Sequence, residues 1–235
     1  MNNKQLVFLI TGTSRGIGQS IANYYLEKGH KVFGCSISAS SIKHPCYFHY
    51  CCDLSEQKEV LEFVRFIRKS TNKLDVLINN AAINPFILPI IMIPTDTLKK
   101  VFDVNVLAPM ILCRETTKIM KKNKFGRIIN IGSMATKHEV IGEGLYTSSK
   151  AALNSFTKIL SKEVFQYGIT ANVIAPSVIK TDLSDKINQT ALHDVLKRNA
   201  ISEYGQIEDI TNTIDFIIDS NSSSVTGQLI YLGGV

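Results

Sequence analysis

A chain of 235 residues with 45% hydrophobic content is long enough to bury one sizeable α/β core, and no apolar run reaches the roughly 18 residues of a membrane span. The formal charge of +6 would draw anions, but its basic residues are scattered (Lys99-Lys100, Lys121-Lys122, Lys197-Arg198) without interleaved aromatics, which argues against a nucleic-acid groove. Five cysteines without CxxC spacing and five histidines without HExxH spacing indicate neither a disulfide framework nor a metal site, and Met1 to Gln5 carries no export signal, so a cytoplasmic location is expected.

Leu6 to Ile10 is a continuous apolar run of the kind a central strand needs when both faces are covered, and Thr11-Gly12-Thr13-Ser14-Arg15-Gly16-Ile17-Gly18 follows at once. A helix comes next, through Leu26, and Gly29 stops it. Strand, glycine-rich turn and helix in that order point to phosphate binding. Gly12 allows the turn, Gly16 lets backbone approach a pyrophosphate, and Gly18 lets helix and strand pack closely.

The second strand, Lys31 to Cys35, ends in Ser36, Ile37 and Ser38. A carboxylate there would bind the ribose 2′-hydroxyl of NAD and repel a 2′-phosphate. With none present, and with Arg15 in the turn and Lys43 nearby, the sequence favours NADP(H), with NAD(H) as the alternative. About ten residues separate this strand from the third, Cys46 to Cys51, so the usual crossover helix should be shortened or absent. Asp53-Leu54 closes the third strand; the Asp53 carboxylate reads equally as a group for the adenine amino nitrogen and, with Ser55, as an N-cap of the next helix.

Glu56 to Lys69 is helical, Leu74 to Ile78 is the fourth strand, and the small residues of Asn79-Asn80-Ala81-Ala82 would let a cofactor lie against backbone. Phe86 to Pro94 is apolar for a connection and its two prolines oppose a helix; it reads either as a wall of an apolar substrate pocket or as a patch packed on another subunit. Thr95 to Met120 reads as helical with a break at Pro109, and Asn105 stands inside apolar Val104-Asn105-Val106-Leu107, where a buried amide needs partners.

Gly126 to Gly132 is the fifth strand, and Ser133 ends it with a hydroxyl able to donate to a substrate oxygen. Tyr146 and Lys150 lie four apart in a helical run that continues through Leu160, so they share a face. An ammonium near a phenol favours phenolate, drawing a pKa of about 10 toward neutrality and making an acid–base catalyst; the competing reading of such a pair is two solvent-facing side chains. Thr170 to Ala175 is the sixth strand, ended by Pro176, and Thr181 and Asp182 cap the next segment. Residues 182–203 are polar and helical, suited to a substrate lid over about residues 182–205, and Gly227 to Leu232 is a last strand. No repeat or linker interrupts residues 1–235, which read as one domain.

On Thr11-Gly12-x-x-x-Gly16-x-Gly18, Asp53-Leu54, Asn79-Asn80-Ala81, Asn105, Ser133 and Tyr146-x-x-x-Lys150, the chain resembles the classical short-chain dehydrogenases/reductases over essentially its whole length. The resemblance implies a Rossmann-type, doubly wound α/β sheet of about seven parallel strands with helices on both faces, a nicotinamide cofactor and a homo-oligomer, dimer or tetramer. It implies Tyr146 as proton donor to a carbonyl, Lys150 as the group that lowers its pKa and holds the nicotinamide ribose, and Ser133 as the residue that polarises the carbonyl oxygen. Asn105 would hold, through its backbone, a water linking Lys150 to solvent. Cofactor contacts would come from Gly12, Ser14, Arg15, Gly16, Ile17, Gly18, Ser36, Asp53, Leu54, Asn80, Ala81, Pro176, Ile179 and Thr181, besides Tyr146 and Lys150.

Ala82 and Ser177 stand where the family usually has glycine. The wording of residues 13–18, 31–34 and 126–133 looks most like bacterial β-ketoacyl-carrier-protein reductases, which dock an acidic acyl carrier protein through basic residues at the pocket mouth. Lys124 matches one such position, and Tyr167 occupies another that is often Arg. A 3-oxoacyl thioester is therefore one expected substrate; a sugar, polyol or other small ketone is the alternative, and a non-catalytic dinucleotide-binding regulator is the reading of another class.

Overall fold

The computed structural model describes residues 5–85, 87–179 and 196–234. Strands β1 (Val7–Thr11), β2 (Lys31–Ser36), β3 (Tyr47–Cys51), β4 (Val76–Asn79), β5 (Gly126–Ile131), β6 (Ile169–Pro176) and β7 (Leu229–Leu232) form one sheet in the order β3-β2-β1-β4-β5-β6-β7, every pair parallel. The doubly wound architecture expected from the sequence is therefore what forms. β1, β4, β5 and β6 are buried throughout, as continuous apolar strands covered on both faces must be.

Two apolar layers flank the sheet. One joins its face to α2 (Gln57–Ser70), α4 (Ala108–Met120) and α6 (Gly144–Val164), the last preceded by the short α5 (Ala135–His138), through Phe63, Ile67, Leu112 and Leu160. The other joins the opposite face to α1 (Gly16–Glu27) and α7 (Ile207–Ile218) through Ile21, Tyr25, Ile210 and Ile214. α7 is an addition to the elements expected from the sequence. Its signal is there: Ile207, Ile210, Ile214 and Ile217 recur at helical spacing behind a capping box formed by Gln206 and Asp209. Tyr24, Tyr25 and Lys28 of α1 all donate to the Asp215 carboxylate, at 2.6, 3.0 and 2.6 Å, clasping the two helices.

Three expectations change. The helical run from Thr95 does not break at Pro109: α3 (Thr95–Phe102) continues through a π-helical turn, Asp103–Leu107, into α4. Pro109 falls in the first turn of α4, where its missing N–H and fixed φ are tolerated, and the wider π turn absorbs the mismatch just before it. Within Phe86 to Pro94, Ile90–Met92 forms a single 3₁₀ turn despite the flanking prolines. Of the expected helix at residues 182–203, residues 182–195 lie outside the described residues, and 197–206 is a non-helical stretch of turns and bends in which Gly205 bridges to Ile179. The crossover at 37–46 has no helix, as its length required.

Candidate active site

β1 has β2 on one side and β4 on the other, so consecutive connections leave opposite faces of the sheet and a crevice opens at the carboxyl ends of the strands. The turn after β1 enters it. Gly12 is left-handed (φ 76°), and a Cβ there would lie 2.8 Å from Asn80 Nδ2; a Cβ on Gly18 would overlap the carbonyl oxygen of Gly12. The Asn80 side chain donates to Thr11 O at 2.9 Å, while Thr11 Oγ1 accepts from the amides of Asn80 and Ala81, each at 3.0 Å. The turns after β1 and β4 are thereby one unit.

Gly16 differs from its neighbours: it is left-handed (φ 59°) and open space lies where a Cβ would go. It starts α1, whose N-cap, Arg15, makes no capping hydrogen bond and whose first turn has no acid. Uncapped N–H groups, an open glycine and an exposed guanidinium suit a diphosphate, so the residues present fit a dinucleotide.

Ser133 follows β5, and Tyr146 and Lys150 share one face of α6. Lys150 Nζ is 5.8 Å from the Tyr146 ring centre and donates to Ile131 O, on the strand that leads to Ser133, at 2.7 Å. Ser133 Oγ accepts from Ala135 N at 3.1 Å, and the Ser133 hydroxyl is close enough to the Tyr146 phenol to favour its ionised form. Ser133, Tyr146 and Lys150 thus lie close together, and the solvent-facing reading fails for Lys150, which is only 2% exposed, while Tyr146 is half-buried.

The electrostatics differ from the sequence expectation. Burial raises the phenol of Tyr146 above its ordinary range; the Ser133 hydrogen bond opposes this, and the carboxylate of Glu143, one helical turn earlier, adds to it. Burial also brings Lys150 down to about 8. Lys150 still carries its proton at neutral pH, but that proton is donated to the Ile131 carbonyl, and desolvation of the phenol is the larger influence on Tyr146.

Asn105 sits in the π turn with every amide group satisfied. Its Oδ1 accepts from Ile83 N at 2.9 Å, and its Nδ2 donates to Ile83 O at 2.9 Å and Ser149 Oγ at 3.0 Å. Ser149 Oγ donates in turn to Tyr146 O at 2.7 Å. The Asn105 side chain thus fastens the segment after β4 to the turn of α6 that carries Tyr146 and Lys150.

The remaining residues divide. Ser14 and Arg15 lie in the turn into α1 and Ile17 in its first turn, and Ser36 at the end of β2 donates to Ser38 O at 2.8 Å. Asp53 does not cap α2, whose N-cap is Glu56; its Oδ1 accepts from Ser55 N and Ser55 Oγ, and Glu59 reaches back to Asp53 N at 2.7 Å. Leu54 and Ile179 place their side chains in the two apolar layers, leaving backbone to meet a ligand. Pro176 ends β6, and Thr181 lies outside the described residues.

The family model described as short chain dehydrogenase matches residues 6–192. The chain belongs to this family. As a short-chain dehydrogenase it is an NAD(P)-dependent oxidoreductase. Its sequence is 36% identical over 232 residues to the 3-oxoacyl-[acyl-carrier-protein] reductase FabG of Rickettsia felis, covering 96% of this chain and 94% of that one. It is 31% identical over 238 residues to FabG of Buchnera aphidicola, at 99% and 97% coverage. A solved 4-hydroxyisoleucine dehydrogenase complexed with NADH superposes with a TM-score of 0.87 at 30% identity, covering 98% of both chains.

Two groups in this dehydrogenase's site escape the reading of the sequence. Glu143, three residues before Tyr146, could have been found from helical spacing alone. Asn199 could not: it is buried in a turn, where Oδ1 meets His138 Nε2 at 2.8 Å and Nδ2 donates to Ser177 Oγ at 2.7 Å. Ser177, where the family usually has glycine, thus has a partner of its own.

Proposed function

We propose that this dehydrogenase reduces a 3-oxoacyl thioester to the 3-hydroxyacyl thioester with NADP(H), Tyr146 donating the proton. The observation that carries the reading is the convergence of Ser133, Tyr146 and Lys150 beside an open glycine turn. A bound nicotinamide would supply the hydride. Ser133 orients the substrate oxygen, and Tyr146, kept protonated by burial, gives that oxygen its proton. Lys150 and Asn105 hold the tyrosine-bearing turn of α6, and Lys150 would hold the nicotinamide ribose. Arg15 and the carboxylate-free end of β2 support NADP(H); the NADH named with the structural neighbour bears the other way.

Two features support an acyl substrate: the names of the curated relatives, and an apolar lip of Ile87, Ile90, Ile91, Met92 and Ile141. Ile91 and Ile141 are 91% and 92% exposed, and Leu88 N donates to Gly142 O at 3.0 Å, tying the lip to the turn four residues before Tyr146. Lys124 does not support carrier docking within one subunit. It precedes the amino end of β5, about 20 Å along that strand from Ser133, so the carrier-protein reading rests on the relatives. The second reading, a small hydroxy acid or ketone, is favoured by the 4-hydroxyisoleucine dehydrogenase likeness and the charged neighbourhood of Glu143, His138 and Arg198. The same proposal places the enzyme in the cytoplasm, in keeping with five free cysteines.

The test is cofactor oxidation against acyl thioesters, keto acids and small ketones with wild type and Tyr146→Phe. Turnover of 3-oxoacyl thioesters that the substitution abolishes, with dinucleotide affinity within a few fold, is expected. Comparable turnover by the variant would contradict the donor assignment. A higher kcat/KM with NADH than with NADPH would reverse the cofactor choice.

A further inference from the structure

The ten-residue crossover between β2 and β3 forms no helix, which leaves the adenosine side of the crevice without the packing that a helix gives. Side chains of the edge strand occupy that place. On β3, Phe48 and Tyr50 face α2, stacking on Phe33 and Phe63, while Tyr47 and His49 face the α1 side. Tyr47 Oη lies 2.8 Å from Thr13 Oγ1 and 2.9 Å from His49 Nδ1. His49 Nε2 lies 3.0 Å from Ser38 O and 3.4 Å from Ser36 Oγ.

For a neutral imidazole, only one arrangement of protons satisfies this chain. Ser38 O can only accept, so Nε2–H donates to it; Nδ1 then accepts from the Tyr47 hydroxyl, whose oxygen accepts from Thr13. Burial raises the Tyr47 phenol, which keeps its proton available for donation. Thr13 is fully buried inside the glycine-rich turn, and the amides on either side of Gly12's carbonyl, Gly12 N and Thr13 N, both donate to Cys35 O at the end of β2.

A second observation shows that the backbone is built around this pair. Gly34 passes beneath it, and a Cβ there would lie 2.5 Å from both Thr13 Oγ1 and Tyr47 Oη. The crossover is pinned once more, by Gln19 Nε2 of α1 donating to Ser41 Oγ at 2.8 Å.

We propose that Tyr47 and His49 are positioning residues for the adenosine half of the dinucleotide, coupling the phosphate-binding turn at Thr13 to the ribose-facing turn Ser36–Ser38 in place of a crossover helix. The inference rests on the dinucleotide binding of the family and not on the choice between NADP(H) and NAD(H). Both residues lie on β3, separated from β5 by three strands, so their loss should weaken binding and spare the chemistry at Ser133, Tyr146 and Lys150.

The experiment uses the full chain with Tyr47→Phe, His49→Leu and His49→Gln. Calorimetry gives affinity for whichever reduced dinucleotide wild type binds, and for reduced nicotinamide mononucleotide, which lacks the adenosine half. Breaking one or two of these hydrogen bonds should weaken the dinucleotide by about five- to twentyfold in Tyr47→Phe and His49→Leu. Mononucleotide affinity and kcat at saturating dinucleotide should stay within about twofold, on the same hydrogen-bond scale. His49→Gln should recover most of the loss, since its amide N–H can reach Ser38 O as Nε2–H does. Unchanged dinucleotide affinity in the near-isosteric Tyr47→Phe, a parallel fall in mononucleotide affinity or kcat, or a glutamine no better than leucine would each overturn the proposal.

Discussion

Lys150 shows what a buried ammonium costs the fold. Its ammonium is buried without a carboxylate partner among the described residues, and desolvation lowers its pKa from 10.5 to about 8, a penalty of about 3 kcal/mol on the charged folded state. The sign comes from proton counting. Below about 8 both states carry the proton and the penalty is complete; between about 8 and 10.5 the unfolded chain binds more protons, so this group's contribution to stability rises with pH. Lys150→Met should therefore unfold at higher urea than wild type at pH 7, by about 1–3 kcal/mol after the lost bond to Ile131 O is counted, while losing activity. Its advantage should shrink as pH rises toward 10. A variant less stable than wild type at pH 7 would mean that the ammonium is solvated in solution. Tyr146 is legible in the sequence as a partner of Lys150. Its raised pKa is not, because spacing gives proximity and says nothing of how far water is excluded from either group.

The glycine-rich turn separates packing from ligand approach within one element. Gly18 and Gly16 are two residues apart and answer to different constraints: a Cβ on Gly18 meets the carbonyl of Gly12, while a Cβ on Gly16 meets nothing. Gly18→Ala should destabilise the protein by about 2–3 kcal/mol in urea melts, because backbone and not a flexible side chain must move. Gly16→Ala should cost only about 1–2 kcal/mol for the left-handed backbone, yet weaken dinucleotide binding at least about tenfold by filling the space above the N-terminus of α1. Equal losses of stability in the two variants would refute this division. The roles of these glycines are readable in the sequence because the strand–turn–helix context is local. α7 is not, since its isoleucines acquire meaning only against α1 and the sheet, and the break that Pro109 suggests is made unnecessary by the π turn just upstream.

At the scale of the molecule, one face of the α4–α6 pair carries an apolar groove of about 680 Å³, lined by Leu107, Met110, Ile111, Phe156 and Tyr167 together with Arg114 and Glu163. An exposed apolar groove on a helix pair is a surface that a second copy of the chain would cover, and we propose it as the contact of the expected homo-oligomer. Leu107→Glu should shift the sedimentation coefficient of the wild-type oligomer toward that of a monomer without unfolding it, since Leu107 is exposed in the single chain. A monomeric wild type at micromolar concentration would remove the basis for this assembly. The apolar lip at Ile91 and Ile141 lies elsewhere, in the loops after β4 and β5, and is better read as part of the substrate mouth.

The features that the sequence determined by itself are those written in short windows: buried strands as apolar runs, the glycine turn, the Tyr146–Lys150 spacing, and a crossover too short for a helix. Each depends on backbone sterics or helical periodicity over a few residues. Only the tertiary structure decided which distant groups meet: Asn105 with Ile83 and Ser149, Asn199 with His138 and Ser177, Tyr47 with Thr13. The same holds for the protonation tendencies of Tyr146 and Lys150. Those depend on desolvation and on contacts between strands and helices far apart in the chain, quantities that exist only once the sheet has closed its two layers around them.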